Sequence, residues 1–185
     1  MAGQDKTIIG IDPGTNLLGF GVIRVSGKDV SFVDMGVVDM RKEKDHFAKL
    51  SKLAVEMDRI LDAYSPDEMS VEDPFCGKNP QVMLKLGRAQ GTAISAALRR
   101  GIPVTEYAPR KAKIAITGVG SASKEQVCIM IQKILGISLR AEHLDATDAL
   151  ALALCHYYQE SSPLPKTGSS GGWKQFVEAH PDRVK

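Results

Sequence analysis

Cysteine is scarce in this 185-residue chain, and the three present, Cys76, Cys128 and Cys155, build nothing by their spacing. An odd number of irregularly spaced cysteines in or beside apolar segments argues against a disulfide framework and a zinc site, and suits a reducing cytosol. No apolar run approaches the roughly 18 residues that a spanning helix needs, and the first ten residues, MAGQDKTIIG, lack a basic stretch leading into an apolar one. Neither a membrane anchor nor a secretory leader is expected, and the expected location is cytoplasmic. A strong overall charge is missing too: the net charge is +2. Its distribution is uneven, however. Between Cys76 and Lys124 nine Lys and Arg face a single acid, Glu106, a net +8 that leaves −6 for the remainder. Such polarity suits a polyanionic ligand, or else a set of solvated helix faces.

What is present is a 43% hydrophobic chain with room for one domain and a tail, and not for two ordinary lobes. Thr7 to Asp12 is a short apolar run stopped by Asp-Pro-Gly, and Leu17 to Val25 resumes it, so the two read as a hairpin. Asp29 to Met40 adds a third strand and completes an antiparallel meander. Phe47, Leu50, Leu53, Ala54, Met57, Ile60, Leu61 and Tyr64 recur at helical spacing and are expected to cover one sheet face. Glu68 to Glu72 is a short strand leaving that helix, expected to lie parallel to the first. Gln81 to Arg100 is a helix full of small residues closed by Gly101, able to approach another helix closely, within the fold or across a dimer axis. Pro103 to Tyr107 is a fifth strand. Ser123 and Gln126 form a capping box before a helix running to Gly136, and a last helix spans Leu144 to Tyr158. The expected organisation is a domain over residues 1–160, then a flexible linker and tail over residues 161–185.

Acids recur at the ends of these elements. Asp12 follows the first strand, Glu72 the fourth, and Asp145 and Asp148 open the last helix, three apart on one face. The order of elements places the first and fourth strands side by side, so four carboxylates converge if the last helix aims at the strand ends. Singly, each has an ordinary reading as a turn former, a surface acid or a helix-dipole partner. Together they repel and raise one another's pKa unless cations neutralise them, and an all-oxygen donor set selects hard divalent ions, Mg²⁺ or Mn²⁺. Two such ions activate water and stabilise the leaving oxygen in phosphodiester hydrolysis. Lys113 and Lys124 could neutralise the scissile phosphate, and Phe75, in the loop VEDPFCGKN, could stack on an unpaired base or tuck back on the core.

Four segments, GIDPGTNLLGFGVI, VEDPFCGKNPQVMLKLGRAQG, PRKAKIAITGVGSASKEQV and LDATDALALALCH, in this order and spacing, closely resemble the bacterial crossover junction endodeoxyribonucleases of the RuvC type. The resemblance runs from about Thr7 to Tyr158. It implies an α/β, ribonuclease H-like fold with a five-stranded mixed sheet flanked by helices. It also implies a Mg²⁺-dependent homodimer that makes paired symmetric nicks in four-way DNA junctions, working with the branch-migration proteins RuvA and RuvB. Asp12, Glu72, Asp145 and Asp148 fall on the family's catalytic, metal-binding acids, Lys113 and Lys124 on its basic residues near the site, and Phe75 on its junction-contacting aromatic. Lys78, Lys85, Arg88, Arg110 and Lys111, in the basic middle of the chain, are further candidates for DNA contact. The linker SSPLPKTGSSGG and the tail around Trp173 and Phe176 match nothing in the family. Two rival readings differ in class. A nucleotide-binding ATPase-like protein would share Asp12-Pro-Gly-Thr15 but needs a second lobe, and a catalytically silent junction-binding dimer would lack some of the four acids.

Overall fold

A computed structural model describes residues 5–73, 79–139 and 144–161, with the backbone alone described for Leu144 and Asp145. The expected tail, together with Phe75, Cys76 and Lys78, lies outside the described residues. Strands β1 (Lys6–Asp12), β2 (Leu17–Ser26) and β3 (Asp29–Asp39) form the expected antiparallel meander. Helix α1 (His46–Tyr64) leads to β4 (Glu68–Glu72), which pairs parallel with β1, and α2 (Pro80–Leu98) leads to β5 (Val104–Tyr107), parallel with β4. The sheet order is β3-β2-β1-β4-β5, five strands of mixed direction. Then come α3 (Pro109–Thr117), α4 (Lys124–Leu135) and α5 (Leu144–Ser161).

The continuous apolar run of β1 follows from burial on both faces. Ile9 and Ile11 join Leu53, Met57, Leu61, Ala93 and Ala97 in the core beneath α1 and α2, whereas Ile8 joins Leu150, Leu154 and Ile131 beneath α4 and α5. Successive side chains alternate between those faces, so Gly10 and Asp12 share the α5 side with Ile8. Gly10 pairs with Gly21 on β2, and both lack side chains for a specific reason. A Cβ on Gly10 would stand 1.9 Å from the Ala149 carbonyl oxygen, and one on Gly21 would stand 2.7 Å from the Leu150 nitrogen. The glycine pair lets α5 lie directly on the sheet.

Several boundaries and contacts differ from expectation. The small-residue helix starts at Pro80 and ends at Leu98, with Gly101 adopting φ +72° in the turn beyond it. Helix α3 went unforeseen: a proline at its first position and Gly118 in the left-handed region bracket nine residues of mixed polarity with little periodicity. Phe47, expected in the core, is 74% exposed. It sits on the first turn of α1. Arg99 and Arg100 have partners within the fold: both pair with Asp58, and Arg100 also with Asp62, tying α2 to α1. Cys128 and Cys155 are buried free thiols, and burial pushes that of Cys155 up to about 11. Buried His156 accepts or donates at both ring nitrogens, 2.8 Å from the Tyr107 hydroxyl and 2.9 Å from Glu68 Oε2, which also pairs with Lys6. This chain of contacts joins β5, α5, β4 and β1. Among the described residues no helix is long and apolar enough to cross a membrane.

Candidate active site

The last parallel pair between β1 and β4 is Ile11 with Val71, so Asp12 and Glu72 are the next residues on adjacent strands. Met69 and Val71 belong to the core under α1 and α2, so strand alternation turns Glu72, like Asp12, toward α5. From α5 comes Asp148. These three acids line one cleft of about 250 Å³ together with Lys113 of α3 and Lys124 of α4, on a floor that includes Ala112, Val127 and Leu152. The structure thus brings Asp12, Glu72, Asp148, Lys113 and Lys124 together in one place. Asp145 begins the same helix one turn earlier, with its side chain outside the described residues.

The electrostatics of the cleft are those of competing like charges. Burial raises the Glu72 carboxyl above its ordinary value, the Asp148 carboxylate raises it further, and Lys124 and Lys113 oppose the shift. Lys124 forms an ion pair with Asp148 Oδ2. Lys113 donates to the Ala122 carbonyl at 2.9 Å, which fixes the loop before α4. The Ser123–Gln126 capping box then places Lys124 at the first position of that helix. Among the described residues no group of three or more His, Cys, Asp or Glu already forms an ion cage. The donor set nonetheless fits a hard divalent cation: it is all carboxylate oxygen, and Glu72 carries an unfavourable charge that a cation would relieve.

Gln90 is a site residue that the sequence pattern hid among small side chains. It is 8% exposed and its Nε2 donates to the Glu72 carbonyl at 3.1 Å and to Glu106 Oε1 at 3.0 Å. With the Asp73 nitrogen donating to the Tyr107 carbonyl, it clamps the end of β4. A lone amide on the buried face of an alanine-rich helix was the available signal. The remaining DNA candidates scatter: Lys111 lies over the Tyr107 ring at 5.1 Å, whereas Lys85 and Arg88 are exposed on α2 and Arg110 on α3.

A family model described as crossover junction endodeoxyribonuclease RuvC matches residues 8–156. The chain belongs to the RuvC family. A RuvC from Bacteroides fragilis is 50% identical over 184 residues, covering 98% of this chain and 97% of that protein, and one from Cytophaga hutchinsonii is 48% identical over 98% of this chain and 89% of its own length. Among solved structures, Thermus thermophilus RuvC in complex with Holliday junction substrate superposes with TM-score 0.77 at 31% identity, covering 84% of this chain and 94% of that one. The fold is accordingly that of RuvC, ribonuclease H-like, and RuvC enzymes are metal-dependent endonucleases.

The raised Glu72 carboxyl has a measurable consequence. A carboxyl raised in the folded state binds its proton more tightly there than in the unfolded chain. Stability is therefore lost as pH rises from the ordinary value of 4.5 through the raised one. Glu72→Gln should melt at a higher temperature than the unaltered chain at pH 7 in EDTA, with the gain vanishing below about pH 4. Equal melting temperatures at pH 7 would mean that Lys113 and Lys124 already compensate the charge.

Proposed function

We propose that this chain is a Holliday junction resolvase whose cleft between β1, β4 and α5 hydrolyses one phosphodiester, the matching cleft of a second copy cutting the symmetry-related strand. The observation that carries this reading is the meeting of Asp12, Glu72 and Asp148 with Lys113 and Lys124 in one cleft of a RuvC-family fold. Asp12, Glu72, Asp148 and Asp145 would hold Mg²⁺, with Mn²⁺ as a substitute. When bound, these ions supply a hydroxide-like water and charge stabilisation at the leaving oxygen. The chain's own residues do the rest. Strand alternation and the glycine-seated α5 hold the acids on one side, and Gln90 fixes the Glu72 backbone. Lys113 and Lys124 bring positive charge to the phosphate that the acids would otherwise repel. RuvA and RuvB are the partners that this role implies.

Paired cleavage needs two clefts, and α2 offers the joining surface. Gly87, Gly91 and Ser95 recur at intervals of four and share an exposed stripe with Leu84 and Leu98, which are 55% and 58% exposed. A Cβ on Gly87 or Gly91 would meet nothing within 4 Å among the described residues, so their smallness serves no packing there. A second copy approaching along this stripe gives both glycines a role. Gly91→Glu should fold normally, sediment as a monomer and lose paired nicking. A stable dimer would move the interface elsewhere.

The activity is tested by incubating the protein with a labelled four-way junction and a matched linear duplex, each with Mg²⁺ or EDTA. Paired symmetric nicks in the junction alone, dependent on metal, are expected. Tight binding without cutting under all conditions would instead favour the silent junction-binding dimer.

A further inference from the structure

On the other side of the β1–β2 turn from the acids lies a polar groove of about 310 Å³ between the start of α1 and the flank of α2. Thr15, Asn16, Lys44, His46, Lys49 and Lys85 line it, so it begins three residues after Asp12. Its two acids are already engaged: Glu43 pairs with Lys52 at 3.2 Å, and Asp45 caps α1 by accepting from the Ala48 nitrogen at 2.8 Å. Lys49 donates to the Asn16 side chain, joining α1 to the turn that follows Asp12. Lys44 and Lys85 form no ion pair among the described residues.

Two features mark the groove as built for a ligand. The His46 Nε2 atom is buried with no hydrogen-bond partner among the described residues, and buried polar atoms without partners are rare because they forfeit hydration for nothing. Burial, followed by the charges of Arg88, Lys85 and Lys49, holds the His46 pKa below its ordinary value, leaving a neutral ring able to donate one N–H. Beside it, with ring centroids 6.0 Å apart, stands Phe47, a 74% exposed aromatic on the first turn of α1. Lysines, a hydroxyl and an amide around a cavity suit a phosphate. An exposed ring at its rim suits the base attached to that phosphate.

Resting on the resolvase reading above, we propose that this groove holds a backbone phosphate of the DNA strand that crosses Asp12, with Phe47 against a neighbouring base. The groove would then help to set which phosphodiester reaches the acids. The Val82 and Lys85 flank of α2 that lines it lies on a different side of the helix from the Gly87–Gly91 stripe, so both surfaces can be used at once.

The test measures binding of a four-way junction in EDTA across a range of NaCl, for the full chain and for the variant Lys44→Gln/Lys49→Gln. Affinity should fall about tenfold, and the slope of log K against log[NaCl] should shrink by about one to two, while Lys133→Gln on the far turn of α4 changes neither. Junctions carrying one neutral methylphosphonate at successive positions should reveal a linkage that weakens the unaltered chain but not the double variant. Phe47→Ala should weaken junction binding with the salt slope unchanged. An unchanged affinity and slope in the double variant, or equal weakening of both proteins at every linkage, would overturn the groove and leave the resolvase reading intact. Failure of the unaltered chain to bind junctions would overturn the resolvase reading and this proposal with it.

Discussion

Asp12→Asn should lower junction cleavage by about 10³-fold while the same variant binds the junction in EDTA as tightly as the unaltered chain, or more tightly. Both halves follow from one fact. Asp12 stands at the end of β1 in a cleft with Glu72 and Asp148, where carboxylates already burden one another. The amide is nearly isosteric, so the strand end and the Pro13-Gly14 turn are undisturbed. What disappears is a charged oxygen that, on the proposed reading, would hold a cation where the phosphodiester reacts. DNA affinity rests on the basic surface, and removing one negative charge beside a phosphate cannot weaken that attraction. Cleavage and gel-shift titration on the same preparation decide the matter. Full cleavage by the variant would remove Asp12 from the site, whereas loss of binding would show a role in holding DNA.

Gly10→Ala should be among the most destabilising single substitutions in the chain, although it adds only one methyl group. The new carbon would lie 1.9 Å from the Ala149 carbonyl oxygen and 2.8 Å from the Ala153 nitrogen, both backbone atoms that no rotamer change can move aside. Overpacking against yielding side chains costs about 1–3 kcal/mol, and here the whole of α5 must lift, so about 3 kcal/mol or more is expected. For a domain of this size that lowers Tm by roughly 10 °C. The displaced helix carries Asp148, so the variant should also cut slowly at temperatures where it remains folded, since misplacement by about 1 Å can cost roughly 100-fold in rate. A Tm within about 2 °C of the unaltered chain would show that α5 is held loosely.

These glycines also show what a sequence discloses and what it withholds. The meander, the parallel fourth strand and the strand-end acids follow from apolar patterning and turn chemistry, which are local. Gly10 and Gly21 could be noticed as strand-interior glycines, which signal close backbone approach. That the approaching backbone belongs to α5 depends on packing between the two ends of the chain. Arg99 and Arg100 show the same dependence: the sequence counts them in a basic run, and only packing reveals that they pair with Asp58 and Asp62 one helix away. Helix α3 escaped because its apolar stripe, Ala112 and Ile116, is only two residues wide. Phe47 kept helical spacing with the core and still faced outward.

The seating of α5 against the Gly10–Gly21 pair has a further meaning for how the enzyme comes into being. One acid of the cleft belongs to the first strand and another to the last helix, so the two meet only after nearly everything between them has been laid down. Contacts of such long sequence separation form late in folding, because the intervening loop must be closed before they return any stabilisation. The meander and the α1–α2 layer can assemble from residues already made, but a chain that stops short of α5 has Asp12 and Glu72 without Asp148. On the proposed assignment of the cleft, the order of synthesis would withhold phosphodiester chemistry until the domain is whole.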